Sequence, residues 1–328
     1  MKKSSKILAL LLALAMICSL AACSSEAPAE SSKEDTKVET ETEKETEAET
    51  EKETEAETEA ETEAETEAET ETEAESAGDG ILPREETLYF AGQQWGAVNS
   101  WNVIGTNQNN SMAIAGGPSG YRTLMFETLY MYNILNGEFT PLLADGDYEW
   151  NDDLTAMTVS LKDAAKWSDG TAITAADVVR TFDIGVEIGN GTGTTYGAYI
   201  DSIEAVDEKT IRINAAVSED GNPVNPLKVL DFLTGVAIAQ AEWIDTVYER
   251  NGGVAIDILN DAGEDVVWSG PYTRYYDDDQ KVVLVRDDNY WGQDESMWGC
   301  LPVPKYIAHA MYADNAAGEN ALKAGAVD

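Results

Sequence analysis

Histidine, cysteine and cationic side chains are scarce. The 328 residues hold one histidine, three cysteines, and 21 lysines and arginines against 62 aspartates and glutamates. One histidine, His309, excludes His-pair zinc sites and the HExxH arrangement, both of which need two imidazoles. On its own it reads as a surface or interface side chain rather than a general base. Cys18 and Cys23 fall at the start of the chain, so Cys300 stands alone beyond them and no intramolecular disulfide can form there. Cys300 is expected to be a partly buried small side chain. No basic stripe interleaved with aromatics occurs, and the acidic balance repels nucleic acid. There is no G-x-S-x-G elbow and no Walker A loop. Gly189-Asn190-Gly191-Thr192-Gly193 follows a helical pattern rather than a strand, so it is expected to be a flexible connector rather than a phosphate loop. Carboxylates are so abundant that a glycosidase-like pair carries no information. The expectation is a protein with no catalytic residue, metal ligand or cofactor site, and not an enzyme.

What is present begins with an address. In "MKKSSKILALLLALAMICSLAAC", Lys2, Lys3 and Lys6 precede the apolar run Ile7 to Leu20, and small residues lead to Cys23. A membrane span needs about 20 apolar residues, so this shorter run reads as a secretory signal. Leu20-Ala21-Ala22-Cys23 matches a bacterial lipobox, which makes residues 1–22 a signal peptide and Cys23 the lipidation site. Residues 23–80 then form an acidic tether. Glu26 to Glu75 contains 23 acidic and 4 basic residues with almost nothing to bury, so ordering it cannot offset the entropy lost. Its glutamates also fall at i and i+4, where like charges repel. The expected location is the extracellular face of the cell membrane, in the periplasmic or cell-wall space, held by N-terminal lipid.

Residues 81–328 are long enough for a buried core and carry a net charge of −24. Met157, Val159 and Leu161 alternate onto one face, as in a half-buried strand. Trp167 can cover the end of that strand, and Ser168-Asp169-Gly170 has turn chemistry. Thr174 stands at an N-cap position with Asp177 three residues on, an Asp version of the capping box. Val178, Val179, Phe182 and Val186 are expected on one helical face. "YIDSIEAVDEKTIRINAA" reads as a hairpin turning at Asp207-Glu208-Lys209.

The wording of this region goes further. "LKDAAKWSDGTAITAADVVRTFD" resembles the signature of the family 5 extracellular solute-binding proteins, the oligopeptide, dipeptide and nickel receptors of ABC importers. "SGPYTRYYDDDQKVVLVRDDNYWG" is similar to the family's Gly-Pro-Tyr turn, strand and Asn-x-x-Tyr-Trp close, with Asp287 where asparagine is usual. "ALKAGAVD", Ala321 to Asp328, is similar to its Gly-x-x-Asp segment. The resemblance implies an α/β, periplasmic-binding-protein-like II fold. It implies a first lobe with an inserted mixed α/β subdomain at about 150–243. Relatives cross into a second lobe where this sequence stops, so the expectation is a partial domain with the distal lobe missing. It also implies ABC permease subunits as partners and a monomer.

The ligand is expected to meet the start of the domain. Leu88 to Asn110, "LYFAGQQWGAVNSWNVIGTNQNN", passes from a short strand into a loop in which Trp95 and Trp101 offer flat faces and Asn99, Asn102 and Asn107 offer amides. Such a set suits sugar rings, and the stretch is similar to the family's cello-oligosaccharide-binding branch, although Val103 stands where that branch often has proline. The alternative is that these tryptophans fill the core. An oligosaccharide is favoured slightly over an oligopeptide, and a nickel or haem ligand less, for want of soft donors. Other functional classes are a sensor ectodomain and a cell-surface glycoside hydrolase.

Overall fold

The computed structural model describes residues 82–92, 98–106 and 124–328, within a unit spanning Thr72–Asp328. The signal segment, Cys23, the acidic tether, Trp95 and Asn107 lie outside the described residues.

In chain order the elements are β1 (Thr87–Gly92), β2 (Tyr130–Asn133), β3 (Glu138–Pro141), β4 (Glu149–Trp150), β5 (Ala156–Ser160), α1 (Ala175–Ile188) and α2 (Gly191–Tyr196). There follow β6 (Ile200–Ala205), β7 (Thr210–Ala215), α3 (Pro226–Gly235), α4 (Ala241–Arg250), α5 (Ala255–Leu259), β8 (Tyr272–Asp277), β9 (Lys281–Arg286), β10 (Tyr306–Met311) and α6 (Asn315–Lys323). One sheet has the order β1-β10-β9-β8, with β1 parallel to β10 and the rest antiparallel. A second sheet has the order β4-β5-β7-β6 and is antiparallel throughout. β2 and β3 form a separate hairpin. The mixed α/β architecture matches the sequence reading.

The alternation in β5 does what it promised. Met157 and Val159 are fully buried and Leu161 nearly so, with Met157 beside Ile213 and Val159 beside Ile211 on the neighbouring strand β7. Trp167 is also in this core. Asp177, itself buried, accepts from the Thr174 N–H at 2.7 Å, the Ala241 N–H at 2.7 Å and the Trp167 indole at 3.4 Å. One carboxylate therefore fixes the start of α1, the start of α4 and the strand-end tryptophan. The turn before it is closed by Asp169, which accepts from the Thr171 N–H and hydroxyl and from the Gln240 amide.

α1 lies between two cores. Ala175, Val178 and Phe182 join the core under the β4–β7 sheet, while Ile184 and Ile188 join a second core with Phe126, Trp243, Tyr272, Val282 and Leu284. Val186, expected on the buried face, is 50% exposed. A spacing of four residues advances 400° around a helix of 3.6 residues per turn, so a 178–182–186 row drifts off the stripe.

Three further expectations are corrected. The glycine-rich run is ordered rather than a loose connector. Gly189 caps α1 in the left-handed conformation, and Asn190 accepts from the Thr192 and Gly193 N–H groups to start α2. His309 is buried rather than superficial, because on β10 it shares a face with Ile307 and Met311, which pack in the second core. Cys300 is exposed, in the loop between Trp298 and Tyr306 rather than under an element.

The turns set opposite signs for two substitutions. Gly170 has φ +86°, and a methyl group added there would meet nothing within 4 Å, so Gly170→Ala should lose about 1 kcal/mol through backbone strain alone. Leu154 sits at φ 55°, a left-handed position for a bulky residue, so Leu154→Gly should gain roughly 0.5–1 kcal/mol. Trp167→Ala should lose about 3–5 kcal/mol by emptying a core position. Urea midpoints measure all three; an unchanged midpoint with altered ligand binding in Gly170→Ala or Trp167→Ala would make that corner a binding site rather than scaffold.

Candidate ligand-binding region

The described part of the expected ligand loop, residues 98–106, is pinned from below. The Trp101 N–H donates to the Ala262 carbonyl at 2.7 Å, and the Ser100 hydroxyl to the Asp261 carbonyl at 3.0 Å. Asn102 is fully buried, with its amide donating to the Ile258 carbonyl at 2.8 Å and accepting from the Ile104 N–H at 3.0 Å. The Asn190 amide reaches the Ile104 carbonyl at 3.0 Å. Asp261 in turn is tied to Arg250 and to the Asn251 amide, so α4 braces the same segment.

These contacts change the roles read from the sequence. Trp101 is 5% exposed, packs in the second core, and carries the Arg274 guanidinium 4.9 Å from its ring centre. Arg274 is itself held by Glu264 and by Asp277 at 2.8 Å. The indole is thus a core side chain with a cation over its ring, which is the alternative the sequence left open. Asn102 shapes the loop instead of facing outward. Asn99 is exposed. Trp95 and Asn107 lie outside the described residues, so among the five expected contacts the structure brings Asn99, Trp101 and Asn102 into one short stretch, with only Asn99 at the surface.

The feature that sequence reading missed is Glu127. It is 1% exposed. The Tyr290 hydroxyl donates to one carboxylate oxygen, and the Trp291 indole donates to the other at 2.9 Å. The Glu127 N–H donates to the Ser269 hydroxyl at 2.9 Å, and its carbonyl accepts from the Ile238 N–H at 3.1 Å. The next turn of the same segment docks on residues 269–272: the Met125 carbonyl accepts from Ser269 and Gly270, and the Leu124 carbonyl from Tyr272. A methyl at Gly270 would lie 2.4 Å from the Leu124 oxygen, so only glycine allows this approach. The one available signal was a lone acid inside the apolar run Leu124 to Tyr130.

Burial pushes the Glu127 carboxyl up to about 8, against the two donors and the positive charge of Lys162. Burial likewise lowers Lys162, with Asp145 and Glu127 pulling it back up. The Lys162 ammonium is satisfied by the Leu142 carbonyl at 2.9 Å and by the Ala144 carbonyl. Glu127 is sealed behind its partners and acts as a structural anchor. Among the described residues no group of three His, Cys, Asp or Glu could hold a metal ion. A groove of about 330 Å³ on α1, lined by Phe182, Asp183, Val186, Glu187 and Asp201, is small and open and lies on carboxylates rather than convergent donors.

The anchor makes a pH prediction. The folded state holds the Glu127 proton more tightly than the unfolded chain, so its stabilising contribution is complete below about pH 4.5 and is lost as pH rises to about 8. The span corresponds to at most about 4–5 kcal/mol. Glu127→Gln keeps an acceptor for Trp291 and offers a donor to the Tyr290 oxygen. It should flatten the fall in melting temperature between pH 5 and 8.5. A fall as steep in the variant as in the wild type would show that Glu127 does not titrate in this range.

Comparison with known proteins fits this architecture. Residues 138–328 match the model for bacterial extracellular solute-binding proteins, family 5 middle. A protein of Agrobacterium fabrum named "Probable peptide-binding protein YejA" is 30% identical over 190 residues, covering 57% of this chain and 29% of the relative. The mannohexaose-bound periplasmic oligopeptide-binding protein of Thermotoga maritima superposes with a TM-score of 0.59 at 26% identity, covering 76% of this chain and 42% of that one. The oligopeptide-binding protein AppA of Bacillus subtilis, solved with a nonapeptide, shares the fold at a TM-score of 0.56 and 18% identity, covering 74% of this chain and 43% of that one. The chain spans less than half the length of these relatives. It belongs to the bacterial extracellular solute-binding proteins of family 5.

Proposed function

We propose that this chain captures a peptide outside the cell and delivers it to the permease subunits of an ABC importer. The family match over residues 138–328 carries the reading. The preference for peptide rests on Trp101. A sugar platform needs an open aromatic face, and this indole is buried with Arg274 over it. The YejA relative's name supports the same class of ligand. The acidic surface adds to it, because a net charge of −24 on residues 81–328 attracts cationic and amine-bearing ligands and repels anionic ones. An oligosaccharide remains the second reading, favoured by the mannohexaose held by the Thermotoga relative.

The proposed mechanism is capture without covalent chemistry. Asn99, with Trp95 and Asn107 on either side in sequence, supplies ligand contacts. Trp101 and Asn102 hold that loop at fixed height through Ala262 and Ile258. Preorganising the loop removes an ordering cost that binding would otherwise carry. The sensor and glycoside-hydrolase readings have no observation in their favour. Among the described residues no helix is long and apolar enough to cross a membrane. Attachment is proposed through lipid on Cys23, after cleavage of residues 1–22, with the acidic tether spacing the binding domain from the bilayer.

Two measurements test this. Calorimetric titration with a mixed peptide library should give saturable heat, with cello-oligosaccharides giving little, and Asn99→Ala should weaken peptide binding by about tenfold or less. Sugar heat without peptide heat would move the ligand to the second reading; heat from neither would reject both. Cys23→Ala should shift the protein from the membrane fraction to the soluble fraction, and unchanged fractionation would reject the lipid anchor.

A further inference from the structure

The β2–β3 hairpin ends in two large aliphatic side chains where turns ordinarily carry polar residues. Leu135 is 95% exposed and Ile134 76%, with Tyr132 behind them at 41%. The polar groups of the tip are turned inward. The Asn133 carboxamide accepts from the Leu135 N–H at 3.0 Å, and the Asn133 carbonyl accepts from the Gly137 N–H at 2.8 Å. Asn136 accepts from the Glu138 N–H at 3.0 Å and donates to its carboxylate at 2.6 Å. The base is equally fixed. Tyr130, Phe139 and Tyr148 meet edge to face at 5.9–6.4 Å, and the Tyr130 hydroxyl donates to the Gly146 carbonyl at 3.0 Å. A braced ribbon therefore presents an apolar point.

The exposed charges that flank that point in the sequence have one sign, and the nearest cation, Lys162, is buried on the Leu142 and Ala144 carbonyls. From Thr128 to Leu161 the sequence carries Glu138, Asp145, Asp147, Glu149, Asp152 and Asp153, and no lysine, arginine or histidine. Tyr148, between Asp147 and Glu149, packs directly on Phe139 of the hairpin, which places these two acids near its base. α3 packs against β2, and its one cation, Lys228, is paired with Asp231 at 2.9 Å. A second copy of the chain brings the same acidic surface and is repelled. An anionic lipid surface is repelled in the same way, and so is the acidic tether. What complements an apolar point with an acidic collar is an apolar recess with a cationic rim.

We propose that the β2–β3 tip is a docking point for a protein partner of that chemistry, with Ile134 and Leu135 entering the recess and the carboxylates steering the approach. Identifying the partner as the importer's membrane subunits rests on the function proposed above.

The test uses proteoliposomes of phosphatidylcholine holding the importer's transmembrane and ATP-hydrolysing subunits, with the purified chain added and ATP hydrolysis measured. Wild type should stimulate hydrolysis. The double variant Ile134→Ser/Leu135→Ser should need about tenfold more protein for half-maximal stimulation, with unchanged melting temperature and unchanged peptide affinity. Asp147→Lys/Glu149→Lys, which leaves the aliphatics in place, should weaken stimulation and remove most of its salt dependence. Equal stimulation by wild type and both variants would overturn the docking point while leaving solute capture standing. No stimulation by wild type, at full ligand affinity, would overturn the importer assignment and the docking point with it. Loss of peptide affinity in the serine variant would place the tip in the ligand site instead. Sedimentation showing wild-type dimers that the serine variant abolishes would make a second copy the occupant, and loss of binding to protein-free vesicles would make it the bilayer. Either result would overturn the proposal.

Discussion

A single buried carboxyl group, Glu127, holds together parts of the chain that lie far apart in sequence. It receives the Tyr290 hydroxyl and the Trp291 indole, while its backbone is bonded to Ser269 and Ile238. Leu129, Tyr130, Tyr290 and Trp291 belong to the core under the β4–β7 sheet, and Met125, Phe126 and Tyr272 to the core under the β1–β10–β9–β8 sheet. The carboxyl group thus sits where the two cores meet. Removing one partner of such a set leaves a buried polar group unmatched, which is more damaging than the net worth of the bonds. α1 makes a second junction, with one face in each core, and Asp177 at its start ties it to α4.

These junctions explain how a loop rich in tryptophan and asparagine becomes a fixed surface. Residues 98–106 rest on the segment 258–265, which Arg250 braces through Asp261 and Asp265. Trp101 fills space between that segment and the sheet, and Asn102 closes the backbone around it. The result is rigid support below with an exposed amide, Asn99, above.

Much of the fold was legible because its signals were local. Alternation marked β5, the Asp-Glu-Lys turn marked the β6–β7 hairpin, and Thr174 with Asp177 marked the start of α1. Two of the three quoted motifs supply fixed corners of the chain, the first at Trp167–Asp177 and the second at both Gly270–Tyr272 and Tyr290–Trp291, while the third ends with Asp328 bonded to the Tyr89 backbone. The site was less legible because its determinants are not local. Nothing in "NSWNV" says that Arg274, far along the chain, will lie over Trp101. Nothing in "MFETLY" says that Tyr290 and Trp291 will reach Glu127. Val186 was misplaced by a periodicity carried one turn too far, and His309 by the lack of clean alternation in "YIAHAM", in which it shares the face of Ile307 and Met311 against the second core.

The most direct test of the account is mass spectrometry of what the purified protein releases on denaturation, before and after prolonged incubation of the native protein with the released molecules. The account predicts peptides, bound in defined stoichiometry and returned with unchanged mass. Release of oligosaccharides alone would contradict the peptide assignment. Conversion of the released molecules into products would contradict the claim that this chain captures its solute without transforming it.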